Sequence, residues 1–241
     1  MSDIRIKTCV LGQVSTNCYL VYDDQTKEGV VIDPADNAPY ILNKCSELGI
    51  TLTAVLLTHG HFDHIMAVPD VIRAFRVKLY AYEAEENMLA DTKLNMTGGF
   101  RGPQTSLHAD VLLHDGQELE FLGTRWKVLF TPGHTAGSCC FYLPDEGIIF
   151  AGDTLFRGSY GRTDLATGNT IRIVSSIVDV LFALPDDTMV YTGHGDPTTI
   201  GFEKQGNPVL TVRDNILRVK GPDAFKPVSY THLTLPTTPY V

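Results

Sequence analysis

The chain has 241 residues, 44% of them hydrophobic, and a formal net charge of -9. That apolar content is ample for one compact domain with a real core. The acidic balance weighs against a nucleic-acid partner, whose backbone is bound by Lys/Arg neutralisation. No apolar run approaches the ~18 residues of a membrane span, and "MSDIRIKTCV" has no charged-then-apolar export pattern, so the expected location is the cytoplasm. The five cysteines (Cys9, Cys18, Cys45, Cys139, Cys140) form no C-x-x-C pair and read as small, reduced, buried residues.

In chain order, "NCYLVY" (17–22) and "GVVIDP" (29–34) predict strands, the second stopped by an Asp-Pro turn. Residues 39–48 predict a short helix with Pro39 in its first turn and Gly49 at its stop. "TAVLLT" (53–58) reads as a buried strand, followed by a helix over about 67–75 whose first turn tolerates Pro69. "VKLYAY" is a strand and "EAEENMLA" a helix, and residues 92–106 read as a long mobile loop broken by glycines. "DVLLH", "RWKVLF" (125–130), "CCFYLP" (139–144) and "GIIFAGD" (147–153) predict further strands. A helix over 170–184, a strand over 188–193 and a helix over 208–219 complete the pattern. Two strand-rich halves with interspersed helices fit an α/β sandwich of two sheets flanked by helices. Residues 227–241 carry no charge, no helical period and three prolines. Residues 228–241 read as translated sequencing-adapter sequence, so the expected domain is 1–219 with a tail over 220–241.

"LLTHGHFDHIMAV" (56–68) places His59, His61, Asp63 and His64 within six positions directly after an apolar strand. Packing does not explain so many polar groups, which are costly to bury unpaired. A tight turn can aim them at two neighbouring points, His59 and His61 at one, Asp63 and His64 at the other. Imidazole and carboxylate favour Zn, Mn or Fe over Ca. The pattern of an apolar strand followed by a coordinating residue in a Gly turn recurs at His134 in "FTPGHTAGS", Asp153 in "FAGDTLF" and His194 in "YTGHGDP".

These motifs, together with "TNCYLV", "GRTDL" and "GHGDPTTIG", resemble the metallo-β-lactamase-fold hydrolases, most closely the short glyoxalase II-like (hydroxyacylglutathione hydrolase-like) subgroup. The resemblance implies a single-domain, four-layer αβ/βα sandwich with the metals at the sheet edges. It implies two divalent ions, Zn first and Fe or Mn next. His59, His61 and His134 would hold one, Asp63, His64 and His194 the other, and Asp153 would bridge them. Two metals sharing a carboxylate can share a water, whose pKa falls towards ~7. That bridging hydroxide would attack a thioester carbonyl, with Asp63 orienting it and the thiolate leaving without a strong general acid. The implied substrate is S-D-lactoylglutathione or a related acyl thioester. No membrane or nucleic-acid partner is expected, and the chain should be a monomer or small homo-oligomer.

Arg162 stands where this family carries a glutathione-binding lysine, and Asp164 where it carries an aromatic. Arg162 is therefore the candidate substrate residue, with a structural Arg162–Asp164 pair as the alternative. Full-length glyoxalase II carries an added helical domain that completes the glutathione site; one helix is expected in its place here, which makes glutathione specificity the open point. Tyr19, Tyr142 and Tyr160 could line a pocket, although packing is the preferred reading. A turn and strand start is preferred for Asn17 and Cys18, and a surface position for His108 and His114. The rival functions are a mononuclear iron persulfide dioxygenase and a lactonase or β-lactamase on the same fold.

Overall fold

A computed structural model describes residues 3–99 and 104–226. The adapter-like tail and part of the 92–106 loop lie outside the described residues. The first sheet orders β1 (Ile4–Leu11), β2 (Thr16–Asp23), β3 (Glu28–Ile32), β4 (Thr51–Leu56), β5 (Lys78–Tyr82) and β6 (Val111–Leu113). The second runs from β7 (Glu118–Phe121) through β8 (Thr124–Phe130), β9 (Cys139–Leu143) and β10 (Ile148–Gly152). A separate hairpin, β11 (Leu155–Phe156) with β12 (Ser159–Tyr160), precedes β13 (Met189–Thr192) and β14 (Thr198–Thr199), which finish the second sheet beside β10. Pairing is antiparallel through β1–β2–β3 and parallel through β3–β4–β5–β6. The parallel crossovers from β3 to β4 and from β4 to β5 are made by α1 (Ala38–Leu48) and by α2 (Phe62–Ile65) with α3 (Val68–Phe75).

Alternation along the strands divides the core into layers. Tyr19, Val21, Val30, Ile32, Ala54 and Leu56 face the second sheet, where they meet Trp126, Val128, Phe141 and Phe150. The intervening residues, Cys18, Leu20, Val31 and Val55, face the other way and pack on Ile41 and Cys45 of α1 and on Val68 and Val71 of α3. On the far side, Leu129, Cys140, Ile149 and Ala151 pack on Ile173, Val174, Ile177 and Leu181. The order is therefore helix, sheet, sheet, helix: the four-layer sandwich. All five cysteines are buried and free. Among the described residues no helix is long and apolar enough to cross a membrane.

Helix ends follow local chemistry. Asn37 caps α1 by accepting from the Tyr40 N–H, and Gly49 closes it in the left-handed region. The segment predicted as one helix over 170–184 is α5 (Thr170–Ser175) continued by a π-turn over Ser176–Val180 and a 3-10 turn over Leu181–Ala183. "EAEENMLA" divides into a 3-10 turn over Glu83–Glu85 and α4 (Glu86–Ala90). The sequence pattern does not predict β1, β7 or α6 (Ile200–Gly206). β1 and β7 are edge strands with mostly exposed or half-buried residues, so their hydrophobic period is weak. The final helix, α7 (Val209–Lys220), is followed by a 3-10 turn over Pro222–Phe225, and Phe225 packs on the outer cluster.

The 92–106 segment is more ordered at its described ends than its composition predicts. Asn95 is fully buried; its amide donates to the Leu89 and Thr105 carbonyls and its Oδ1 accepts from Thr97. One polar side chain thereby ties both arms of the loop together.

Trp126, the only tryptophan, is fully buried, stacks on Phe150 at 6.0 Å between centroids and meets Phe121 edge-on. Trp126→Ala should cost about 3–5 kcal/mol, read as a fall in the denaturation midpoint followed by circular dichroism.

Candidate metal centre

β4 ends at Leu56, Leu57 N–H still donates to Tyr80 O, the chain bends at Thr58, and His61 is extended at φ -69°, ψ 149°. The short segment from this bend to His61 brings the His59 and His61 rings together, edge to face. The chain then turns at once into α2, whose first turn carries Asp63 and His64 to an adjoining position. The histidine turn thus runs directly into a helix at Phe62, where the sequence pattern starts a helix only at about residue 67. His134 follows β8 in the Pro132-Gly133 turn, Asp153 follows β10, and His194 follows β13. Strand ends from both sheets meet here, because the sheets are stitched along this edge. Cys139 N–H donates to Thr58 O at 2.9 Å, Asn17 N–H donates to Gly193 O at 2.7 Å, and Thr16 bridges His194.

All seven predicted residues converge. His61 Nδ1 comes within 2.8 Å of His134 Nε2, and the His59 ring lies 4.9 Å from His61 and 4.8 Å from His134. Asp63 Oδ2 lies 3.1 Å from His194 Nε2 and 3.4 Å from His64 Nε2. Asp153 sits between the groups: Oδ2 is 3.5 Å from both His134 Nε2 and His194 Nε2, and Oδ1 is 3.4 Å from His64 Nε2. His59, His61 and His134 form one set able to hold a metal ion, and Asp63, His64 and His194 form another, with donor atoms in each set within 4.8 Å of one another.

Whether these residues fit metal ions is decided by their unused atoms. Among the described residues, the buried side-chain polar atoms without a partner are His59 Nε2, His61 Nε2, His64 Nε2, Asp153 Oδ1 and Thr188 Oγ1; four of these five lie in this one cluster. Leaving such groups unpaired is costly. Meanwhile Nδ1 is held from outside the cluster in four of the five rings, His61 being the exception, with its Nδ1 against His134 Nε2. His64 Nδ1 donates to Asp33 Oδ2 at 2.9 Å, His134 Nδ1 to the Arg162 carbonyl at 2.8 Å, and His194 Nδ1 to the Val14 carbonyl at 3.2 Å. His59 Nδ1 donates to Thr58 Oγ1 at 3.1 Å, and that hydroxyl donates to Asp33 Oδ2 at 2.7 Å. Fixing Nδ1–H in this way orients these four rings and turns each Nε2 into the cluster, where it can ligate a cation that displaces any proton it carries. The donor set fits transition-metal ions.

Charge is distributed to match. Burial, aided by neighbouring imidazoles, keeps His59 well below its ordinary value and His61 at about 3, so both are neutral. Burial opposes charge on His64 and His194 too. Asp63, Asp153 and Asp33 nevertheless push His64 well above its usual range, and hydrogen bonds to Asp153 and Asp63 raise His194 to about 10. Burial would raise the two carboxyls, but His64 and His194 outweigh it, holding Asp63 at about 2 and Asp153 well below the carboxylate range. Two carboxylates are thus balanced by positive charge where a cation would sit.

Sequence reasoning passed over the residues that support this cluster. Asp33, at the end of β3, takes the Thr58 N–H and hydroxyl as well as His64. Thr16 Oγ1 donates to Asp63 Oδ2 at 2.8 Å. Asn17, read as a mere turn residue, donates to the Thr192 and Gly195 carbonyls flanking His194. Asp33 in "VIDP" follows an apolar strand as the ligands do; Thr16, which opens β2, and Glu85, which bonds the neighbouring turns, carried no such signal. Burial pushes the Glu85 carboxyl up to about 7, against the pull of its donors. A side chain at Gly193 would strike Asp153 Oδ1, its Cβ lying 2.1 Å away, so glycine is required there.

The cluster floors a cavity of about 390 Å³ walled by Val14, Phe62, Met96, Phe156, Tyr160 and Leu165. Tyr160 does line it, whereas Tyr19 is buried between the sheets with its hydroxyl on Thr192 O, and Tyr142 packs on the helix side. Arg162 also lines the cavity, but its Nε and Nη2 both donate to Asp164, at 2.7 Å each. His108 and His114 are exposed and pair with Glu86 and Glu83.

Two outcomes are expected. Asp153→Asn should retain the far-UV circular dichroism spectrum while losing bound metal and turnover by about 100-fold or more, measured by elemental analysis and assay on one sample. Stripping with a chelator should lower the melting temperature, and adding Zn2+ back should restore it, because an ion bound only by the folded chain stabilises it.

Comparisons with known proteins agree with this architecture. Residues 11–194 match the model of the metallo-beta-lactamase superfamily. The chain is 39% identical to the "Probable metallo-hydrolase YqgX" of Bacillus subtilis, over 83% of this chain and 94% of that one. It is 35% identical to the hydroxyacylglutathione hydrolase GloC of Haemophilus influenzae, over 80% and 92%. Among solved structures, the BLEG-1 B3 metallo-beta-lactamase superposes with a TM-score of 0.81 at 38% identity, covering 86% of this chain and all of that one. ETHE1 from Myxococcus xanthus gives 0.70 at 32% identity, covering 85% and 83%. With the family model spanning most of the chain and the donor cluster at its sheet edges, this protein belongs to the metallo-β-lactamase superfamily and is a metal-dependent hydrolase of it.

Proposed function

We propose that this hydrolase acts on acyl thioesters through a dinuclear centre, with S-D-lactoylglutathione as the reference substrate. The observation that carries the reading is the pair of adjoining donor sets, with Asp153 reaching both, at the floor of an apolar-walled cavity. His59, His61 and His134 would hold one ion, Asp63, His64 and His194 the other, with Asp153 between them; Zn is the first expectation. Ions held there would supply a hydroxide nucleophile at neutral pH and a Lewis acid for the carbonyl. The 35% identity to a hydroxyacylglutathione hydrolase supports the thioester reading.

The chain's own residues set the remaining chemistry. Asp63, which lines the cavity and is held at Oδ2 by Thr16, is suited to accept and orient a proton of the attacking water. It is too acidic to donate one at neutral pH. Water adds to the thioester carbonyl carbon, the C–S bond breaks, and acid and thiol leave. A thiolate departs without a general acid, which matches a pocket whose carboxylates are ionised. The aromatic and aliphatic walls exclude bulk water around the acyl group.

The dioxygenase reading has the ETHE1 likeness in its favour. A mononuclear iron centre of two His and one carboxylate needs only one of the two sets, so the second set favours the hydrolase. A β-lactam or lactone substrate shares the same centre and differs only in the pocket.

Metal-replete enzyme should hydrolyse S-D-lactoylglutathione and aryl thioesters faster than nitrocefin or a simple lactone. A larger rate on nitrocefin or the lactone overturns the thioester assignment. One Fe per chain with oxygen uptake on glutathione persulfide overturns it in favour of the dioxygenase. For Arg162, Asp164→Ala should lower KM for the glutathione thioester by freeing the guanidinium, and Arg162→Ala should raise it several-fold with kcat little changed. KM values that do not move in either variant would leave Arg162 as a structural partner of Asp164.

A further inference from the structure

Glu85 is a carboxylate only 1% exposed, placed where the 3-10 turn after β5 meets α4. Its Oε1 accepts the Gly60 N–H at 2.8 Å; its Oε2 accepts the Gly137 N–H at 2.9 Å and the Thr135 hydroxyl at 3.0 Å. Among the described residues no cation is paired with it, so these donors are its compensation. Gly60 lies between His59 and His61, and Thr135 and Gly137 follow His134. One carboxylate therefore joins the two turns that carry the three-histidine set, one turn from each sheet. The fit is close: a Cβ on Gly137 would lie 2.4 Å from both the Glu85 amide nitrogen and Oε2. The second set, Asp63, His64 and His194, is braced by other residues, namely Thr16, Asp33 and the Val14 carbonyl.

We infer that Glu85 is a positioning residue for the three-histidine set, fixing the spacing of His59 and His61 against His134 without touching the metal or substrate. The inference rests on the reading that this set holds a metal ion. Three donors converge on its two oxygens, so the site is matched by a group able to accept on both. Glutamine would turn its NH2 towards either the Gly60 or the Gly137 N–H and leave that buried donor unpaired.

The test is titration of chelator-stripped protein with Zn2+ and Co2+ in two backgrounds, each with one donor set disabled. In His194→Ala, where the three-histidine set is intact, Glu85→Gln should weaken the remaining site by about 10–100-fold and shift the Co2+ d–d absorption. In His134→Ala, where the other set is intact, Glu85→Gln should change affinity less than about twofold, well under that range. Thr135→Val, which deletes one donor to the carboxylate, should weaken the first site by less and serves if Glu85→Gln does not fold. Leu181→Ala, fully buried in the outer helical cluster, is the control for general destabilisation. Equal weakening in both backgrounds, or weakening that Leu181→Ala reproduces, overturns the inference. So does unchanged affinity in the His194→Ala background, which would leave the metal reading standing. If that background binds neither ion, the three-histidine reading falls and this inference falls with it.

Discussion

Five imidazoles and two carboxylates are packed into one seam, and outside His59 their nearest donor atoms are 2.8–3.5 Å apart. Several of those atoms are buried with no partner in the protein. Such a cluster is unfavourable unless cations enter it, since each unused lone pair has lost its water. The surrounding structure serves to hold that arrangement against its tendency to relax. The sheet edges that meet there, the glycines that allow close approach and the locked Nδ1 positions all follow from it.

The restraint is divided between two support systems. Asp33 and Thr58 form a relay behind His59 and His64, so both residues of the first turn share one buried anchor on β3. The β1–β2 connection grips the opposite side through Val14 O, Thr16 and Asn17, which together fix Asp63, His194 and the backbone around them. Glu85 adds the cross-tie between the remaining turns. Hydrogen bonds of this kind are worth more in a dry interior than in water, and their loss leaves orphaned groups rather than solvated ones. The same β1–β2 segment that restrains His194 also presents Val14 to the cavity, so substrate-facing surface and donor geometry share one piece of chain.

Specificity depends on the walls rather than on the floor. The BLEG-1 B3 metallo-beta-lactamase and the hydroxyacylglutathione hydrolase GloC resemble this chain at similar identity. A shared fold therefore does not by itself choose a substrate. Here the wall residues come from the β1–β2 turn, α2, the 92–106 segment and the β11–β12 hairpin with the loop after it. Glu203, fully buried, holds that hairpin by accepting from Gly158, Thr198 and Asn207, which places Phe156 and Tyr160.

By itself the sequence determined the donor types, their places after apolar strands and the two-sheet, helix-flanked architecture, because these are local. A two-residue or 3.6-residue period records which face is buried, and a histidine in a Gly turn after a strand is visible within a few residues. Where the period was weak, as in the edge strands β1 and β7, the reading missed the element. Only the tertiary structure decided which side chains hold the donors in place. Asp33 reaches His64 and Asn17 reaches Gly195 across 31 and 178 positions of chain. Arg162 is engaged by Asp164 in a loop whose conformation no periodicity encodes. Glu85 sits in an ordinary acidic helical stretch, and its role exists only because sheet order and register bring Gly60 and Gly137 to the same carboxylate. Hydrogen bonds between distant segments depend on that register, which the chain fixes only once both sheets have packed.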